Sequence, residues 1–185
     1  MRTFAVVLVA FAALTACSSE DKPAPSSSAA PKPAPKPAPS TNAAAAALDP
    51  CKLLPAEAVS KALFLDNLKA VPGPVQNSAA NGGKARSCEY QHDGKAAGAL
   101  AVTRYEGKRG KPAEIVASIK KAKPGATDVP GFPDGAVYYI DEQKTATLAS
   151  AELVEGTPVL INYTGPAKMT ADQIAPLVKQ ALAAS

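Results

Sequence analysis

Few residues in this sequence are suited to catalysis, because the 185-residue chain contains one histidine and three cysteines. A Ser-His-Asp hydrolase would have to use His92, which opens the segment His92-Asp93-Gly94-Lys95. The Asp-Gly pair favours a tight hairpin turn, so His92 is better interpreted as an exposed turn residue. No metal-ligand run and no glycine-rich phosphate loop occurs in the sequence. We therefore expect a non-enzymatic protein with no cofactor and no metal site.

The positions of the carboxylate side chains also lead us to expect a non-enzymatic protein. Paired acid and base roles need a shared cleft, whereas these side chains are scattered over predicted strand ends and turns, where solvation is the default. They are Glu106, Asp141, Glu142, Glu152 and Glu155.

The first cysteine, Cys17, follows a segment typical of exported proteins. Met1-Arg2 gives a positive start, and Phe4–Leu14 is an apolar run too short to span a bilayer, which needs about 20 residues. The run ends in Leu14-Thr15-Ala16-Cys17, which resembles the bacterial lipobox. That resemblance implies cleavage before Cys17, a lipid on its thiol, and attachment to the extracytoplasmic face of the cell membrane. The alternative is an ordinary secretory signal followed by a chance cysteine.

The other two cysteines, Cys51 and Cys88, remain as one pair once Cys17 carries lipid. Cysteines outside the cytoplasm are usually oxidised, so we expect a Cys51–Cys88 disulfide. A redox motif or a zinc site is disfavoured, because the two residues are 37 positions apart and neither has another cysteine nearby.

The composition divides the chain into three parts. Residues 1–16 are the expected signal peptide. Residues 17–47 follow as the lipidated cysteine and a disordered tether rich in Pro, Ala and Lys, as in Pro31–Pro39, where alternating prolines favour polyproline II. Residues 48–185 form one predicted domain.

Hydrophobic periodicity predicts that this domain is α+β, with an antiparallel sheet of about five strands and helices packed on it. The predicted order is α-β-β-α-β-β-β-α. Helices are expected to begin at Pro55, at Pro112 and after Thr170, and the segment from Val71 to Gly83 is expected to be a loop. The predicted strands are Ser87–Gln91, Ala99–Tyr105, Ala136–Asp141, Thr145–Val154 and Val159–Thr164, the last three forming a meander.

Three motifs carry a resemblance to a known family. They are Asp49-Pro50-Cys51-Lys52-Leu53-Leu54-Pro55, Cys88-Glu89-Tyr90 and Val129-Pro130-Gly131-Phe132-Pro133-Asp134-Gly135-Ala136. With the alanine-rich final helix, the chain from about Leu48 to Ser185 resembles the actinobacterial lipoproteins grouped as a domain of unknown function. The resemblance implies the location, the single disulfide and the fold, and it brings no catalytic residues.

Aromatic side chains are the candidates for ligand contact, because only 5% of the residues are aromatic. Phe132 lies between two turn signals, and an exposed ring there would indicate a contact surface. The favoured alternative is a rigid turn whose ring covers the sheet edge. Tyr138 and Tyr105, each on a predicted strand, complete the candidate set.

The charge distribution disfavours nucleic acid as a partner. Without residues 1–16 the chain has 19 Lys and Arg against 16 Asp and Glu, with no dense basic stripe interleaved with aromatics. The basic loop Gly107-Lys108-Arg109-Gly110-Lys111 lacks the context of a nucleotide site, and it is either solvated or meets an anionic polymer.

The leading hypothesis is a non-enzymatic lipoprotein, held at the membrane by its lipid, that binds an envelope protein or a cell-wall polymer. One rival is a carrier or sensor of a small apolar molecule or lipid, which requires a cavity. The other is an envelope hydrolase, which requires His92 or a carboxylate pair in a cleft.

Overall fold

The computed structural model describes residues 48–78, 82–107 and 110–185. Within these ranges the chain forms four α-helices and eight β-strands. The helices are α1 (Pro50–Leu53), α2 (Ala56–Leu63), α3 (Pro112–Ala122) and α4 (Ala171–Ala183). The strands are β1 (Lys69–Pro72), β2 (Gln76–Ser78), β3 (Gly83–His92), β4 (Lys95–Arg104), β5 (Thr127–Asp128), β6 (Ala136–Ile140), β7 (Thr145–Val154) and β8 (Thr157–Pro166). The predicted α+β class is confirmed.

All eight strands belong to one antiparallel sheet in the order β1-β3-β4-β8-β7-β6-β5, and β2 also pairs with β3. The expected meander is β6-β7-β8, and β8 continues the sheet by pairing with β4. The β3–β4 hairpin turns at Asp93 and Gly94, whose φ angles of 51° and 73° are the positive values that a type I′ turn requires.

The predicted count of about five strands and the predicted element order are wrong in detail, because α1, β1, β2 and β5 were not anticipated. The three additional strands are only four, three and two residues long. The strand β2 lies within the segment from Val71 to Gly83, and β1 ends in it at Pro72, although Pro72, Gly73 and Pro74 favour a loop. Their extended conformation comes from pairing with β3, and proline is tolerated because this is the edge of the sheet.

Helices cover both faces of the sheet. Neighbouring residues of a strand point to opposite faces, and in β8 Ile161 packs in the larger cluster of buried side chains while Leu160 packs in the smaller one. Side chains from α1, α2 and α4 belong to the larger cluster, and Val116 of α3 belongs to the smaller one. None of the helices in the described ranges combines the length and the apolar character needed to cross a bilayer.

The last helix follows its sequence pattern closely. Thr170 forms the expected capping box with Gln173, in which each side chain accepts from the other residue's backbone N–H. The buried stripe of α4 is Ile174, Leu177, Val178 and Ala181. This helix is therefore the main cover of the sheet's larger hydrophobic face.

Two tyrosines at the centre of the larger cluster differ in how their hydroxyl groups are satisfied. Tyr90 and Tyr163 are fully buried with ring centroids 6.3 Å apart. The Tyr90 hydroxyl donates a 2.6 Å hydrogen bond to the backbone carbonyl of Leu54. The Tyr163 hydroxyl has no hydrogen-bond partner among the described residues. The first hydroxyl thus stabilises the fold, and the second is buried at a cost.

The substitution Tyr90→Phe is expected to lower the free energy of unfolding by about 1–2 kcal/mol, because it leaves the buried Leu54 carbonyl without its donor. Tyr163→Phe is the matched control, and it should be neutral or stabilising because it removes a hydroxyl with no partner. Urea titrations of the two variants measure the difference. A larger loss for Tyr163→Phe than for Tyr90→Phe would contradict this account.

Tyr90 and Tyr163 also make the free energy of unfolding depend on pH in the alkaline range. Burial raises the pKa of Tyr90 and of Tyr163 well above the usual value, and their mutual proximity adds to the effect at Tyr90. In the unfolded chain both phenols ionise near pH 10. The stabilising contribution of the neutral phenols is therefore complete below about pH 10 and is lost as the pH rises further. The double variant Tyr90→Phe/Tyr163→Phe should lose less stability between pH 9 and pH 11 than the parent protein.

Candidate binding surface

The predicted disulfide is present. Cys51 in α1 and Cys88 in β3 are bonded, with their Cα atoms 5.1 Å apart. Asp49 helps to position Cys51, because its side chain accepts a hydrogen bond from the Cys51 backbone N–H at the start of α1. The bond therefore joins the first helix directly to β3, the strand next to the edge of the sheet. The other cysteine for which a role is predicted, Cys17, lies outside the described residues.

The three aromatic candidates do not form a common site. Phe132 is buried in the larger cluster, so the exposed contact surface considered for it does not exist. Its ring instead closes the core beneath a turn in which Gly131 has a φ of 82°, with the Lys179 Nζ atom 5.0 Å from the ring centroid. Tyr138 lies against the same cluster and donates a hydrogen bond to the Met169 carbonyl, whereas Tyr105 packs against the smaller cluster on the other face.

His92 is the last residue of β3, where it pairs with Lys95 and is half-buried, so the expectation of an exposed turn residue is wrong by one position. Its Nδ1 atom is 3.6 Å from Asp93 Oδ2 in the adjoining turn. The shallow hollow beside it is also lined by Leu65, Lys95 and Pro166, and it contains no hydroxyl or thiol side chain. Within the described ranges, no three His, Cys, Asp or Glu side chains form a group able to hold a metal ion. The surroundings of His92 therefore lack the nucleophile that a hydrolytic triad would need.

The most prominent hollow on the described surface is a groove between α2 and α4, of about 740 Å³. Its floor and walls are mainly apolar, and the first turn of each helix contributes one carboxylate, Glu57 and Asp172. The lining consists of Pro55, Glu57, Ala58, Lys61, Ala62, Phe64, Asp172, Gln173, Pro176, Leu177 and Gln180. We call this the α2–α4 groove.

Phe64 stands at the rim of the α2–α4 groove with 89% of its side chain exposed, more than any other large apolar residue in the described ranges. It is the C-cap of α2 and adopts the left-handed conformation, with φ 55° and ψ 43°. Glycine is the usual residue at such a position, because a Cβ in this conformation costs about 1 kcal/mol. The fold therefore gains no packing from this phenylalanine and is destabilised by its backbone conformation.

Sequence reasoning missed Phe64, because the helical pattern of Val59, Ala62 and Leu63 directs attention to the buried side of α2. A usable signal was present. An aromatic residue directly follows the last periodic position, where a helix commonly ends in glycine or asparagine.

A second hollow, of about 370 Å³, lies on the sheet itself where β4 and β8 are not covered by α3. It is lined by small residues that include Ala97, Gly98, Ala99 and Thr164, with Glu89 at its margin. It is an open surface depression and not an enclosed chamber. A flat apolar molecule would rest on it with one side in water.

The conformation of Phe64 leads to a prediction about stability. Phe64→Gly should raise the free energy of unfolding by about 1 kcal/mol, because glycine adopts the left-handed C-cap without strain and no buried contact is lost. Urea denaturation of the variant and of Phe64→Ala measures this, since alanine removes the ring but keeps the strained Cβ. A lower stability of Phe64→Gly relative to Phe64→Ala would mean that the backbone strain is not what sets the energy here.

Comparison with known proteins gives a family and no function. A family model described as "Protein of unknown function (DUF3558)" matches residues 12–157, which include all three motifs and both bonded cysteines. No curated protein and no solved structure matches the chain. The expected relationship to a domain of unknown function is thereby confirmed, and the match covers well over half of the sequence. The chain belongs to the DUF3558 family of proteins of unknown function.

Proposed function

We propose that this chain is an extracytoplasmic lipoprotein of the kind its motifs resemble in actinobacteria, and that it works by binding rather than catalysis. In this proposal Cys17 carries the lipid, residues 17–47 form the tether, and residues 48–185 bind a protein of the envelope at the α2–α4 groove. The observation that carries the binding role is Phe64, an aromatic ring 89% exposed in a strained backbone conformation beside an apolar groove.

A protein partner fits this surface better than a wall polysaccharide. Ala58, Ala62 and Leu177 offer carbon atoms and few hydrogen-bonding groups, so apolar side chains are the ligands that gain most from being buried there. Aromatic residues, phenylalanine among them, are enriched in protein–protein interfaces relative to the rest of the surface. Glu57 and Asp172 outnumber Lys61, the one cation of the lining, and so they add a weak preference for a partner segment that carries a basic residue beside its apolar ones.

A carrier of a small apolar molecule is the alternative function, and the depression at Ala97–Ala99 is the observation that favours it. Its openness to solvent is the weakness of this alternative, since ligand pockets usually bury most of the ligand surface.

The anchoring part of the proposal predicts that Cys17→Ser abolishes labelling of the protein with radioactive palmitate. The variant should also move from the membrane fraction to the soluble fraction, because each buried methylene of the lipid contributes about 0.8 kcal/mol to membrane attachment. Cys51→Ser/Cys88→Ser is the control, which should stay labelled. Membrane-bound and palmitate-labelled Cys17→Ser protein would overturn the anchor.

The binding part predicts that a photo-reactive phenylalanine analogue at position 64 of the full chain, illuminated in intact cells, gives one discrete protein adduct. The control position is Leu153, which is also apolar and exposed but lies beside the β7–β8 turn, outside the groove lining. The protein in the adduct is then purified, and its affinity for the chain should fall at least about tenfold with Phe64→Ser, which corresponds to about 1.4 kcal/mol. Leu153→Ser should leave that affinity unchanged.

Three outcomes would overturn the binding proposal. Equal adducts from positions 64 and 153 would indicate random contact. Adducts that remain with purified cell wall would identify a wall polymer as the partner. An identified protein that binds Phe64→Ser as tightly as the parent would remove the role of the groove.

A further inference from the structure

Three cationic side chains lie close together on one face of the sheet. It is the face that α1, α2 and α4 cover, and the cations lie near Gly83, the first residue of β3. Lys84 is the direct cross-strand partner of Arg104, and Arg86 pairs with Val102, the residue two positions before Arg104. Side chains two residues apart on a strand share a face, so all three project from the same side. We call Lys84, Arg86 and Arg104 the β3–β4 cation patch.

Repulsion among these like charges destabilises the folded protein when no anionic ligand is bound. Like charges directly opposite one another in an antiparallel pair are destabilising, and the diagonal between Arg86 and Arg104 adds a second repulsion. On the same face of β3, Cys88 and Tyr90 are fully buried, whereas Lys84 and Arg86 are exposed. The helical cover therefore ends before Lys84 and Arg86 and leaves both open to solvent, whereas Arg104 is half-buried.

The carboxylates near the β3–β4 cation patch neutralise only part of its positive charge. Lys84 forms a 2.7 Å ion pair with Glu106. The hydrogen bond from Lys84 lowers the pKa of Glu106, and the charges of Lys84 and Arg104 act in the same direction. Arg86 forms no ion pair in the described part of the chain, and the buried Nε atom of Arg104 has no hydrogen-bond acceptor there.

The positive charge of the patch exceeds the negative charge beside it. Among the described residues, its three cations have one carboxylate in contact with them, Glu106, so the local excess is two. A local excess of this kind attracts anionic ligands, although residues 48–185 as a whole carry only 16 Lys and Arg against 14 Asp and Glu.

We propose that the β3–β4 cation patch binds a phosphate-bearing polymer of the cell envelope. The planar guanidinium group of an arginine is suited to bidentate contacts with phosphate oxygens, and Arg86 is exposed and has no ion pair in the described residues that would compete for it. The patch lies at the opposite end of β3 from the His92 turn. It does not share residues with the α2–α4 groove, so this inference stands independently of the proposed protein partner.

The surroundings of the patch favour a polymer without bases over a nucleic acid. Binding of single-stranded nucleic acid combines cations with exposed aromatic rings on which bases stack. The nearest aromatic residue in sequence, Tyr105, packs against the smaller cluster on the other face of the sheet. The patch therefore offers charge and guanidinium geometry but no stacking platform.

The test measures binding of long-chain inorganic polyphosphate to the whole chain carrying Cys17→Ser, so that no lipid takes part. The variant Lys84→Gln/Arg86→Gln/Arg104→Gln should weaken binding at least about tenfold and reduce the slope of log K against log salt by about two. The matched control is Lys120→Gln/Lys121→Gln/Lys168→Gln. It removes the same charge and also breaks one ion pair, the 2.6 Å contact of Lys120 with Asp128. Its affinity should change less than about threefold.

Urea denaturation shows whether both triple variants are folded. If the patch variant does not fold, the exposed single substitution Arg86→Gln replaces it, with an expected loss of about threefold against none for Lys121→Gln. Equal weakening by patch and control variants would overturn the proposal, because binding would then follow total charge alone. Two other results would also overturn it: tighter binding of single-stranded DNA than of polyphosphate at equal phosphate concentration, or binding of phosphatidylglycerol vesicles without binding of polyphosphate.

Discussion

The attachment of the first two helices to β3 is the constraint on which the α2–α4 groove depends. With four and eight residues, α1 and α2 are too short to persist as isolated helices. The Cys51–Cys88 bond joins α1 to β3, and the Tyr90 hydroxyl holds the Leu54 carbonyl between the two helices. Closing a loop of 37 residues lowers the entropy of the unfolded chain by an amount worth about 4 kcal/mol. These two links act together with the burial of Leu54 and Val59 in the same cluster as α4, and so they help to fix one wall of the groove.

The interior shows how an aromatic-poor and alanine-rich chain makes a core. Large side chains are concentrated on one face of the sheet, and glycines give them room. A Cβ at Gly98 would lie 2.5 Å from the Tyr163 hydroxyl, and one at Gly165 would lie 2.5 Å from the Met169 sulfur. On the other face, small residues such as Ala149 and Ala151 allow α3 to approach the sheet closely. Small side chains on one face and glycines on the other therefore let helices pack against both faces of the sheet.

Features that depend on neighbouring residues along the chain could be predicted from the sequence, whereas features that depend on the pairing of strands could not. The helix α4 and the Asp93-Gly94 turn were predicted because they depend on a capping box with a periodic apolar stripe and on residues that accept positive φ angles. The strands β1 and β2 were missed because their residues favour a loop and become extended only beside β3. Both proposed surfaces were missed for related reasons. Phe64 is unusual only in its left-handed conformation, and Lys84 meets Arg104 only through the register of β3 and β4.

Both surfaces are places where the folded chain accepts an unfavourable local arrangement. Phe64 combines backbone strain with an exposed ring, and the β3–β4 cation patch places two cations opposite each other. Substitutions that relieve such local costs commonly stabilise a protein, whereas the binding role that the costly residue serves is lost. The protein tolerates these costs because its stability comes from elsewhere, from the disulfide and the two-sided core. The residues proposed to bind are therefore different from the residues that stabilise the fold. A side chain that is already buried, paired or hydrogen-bonded within the fold gains little from contact with a partner.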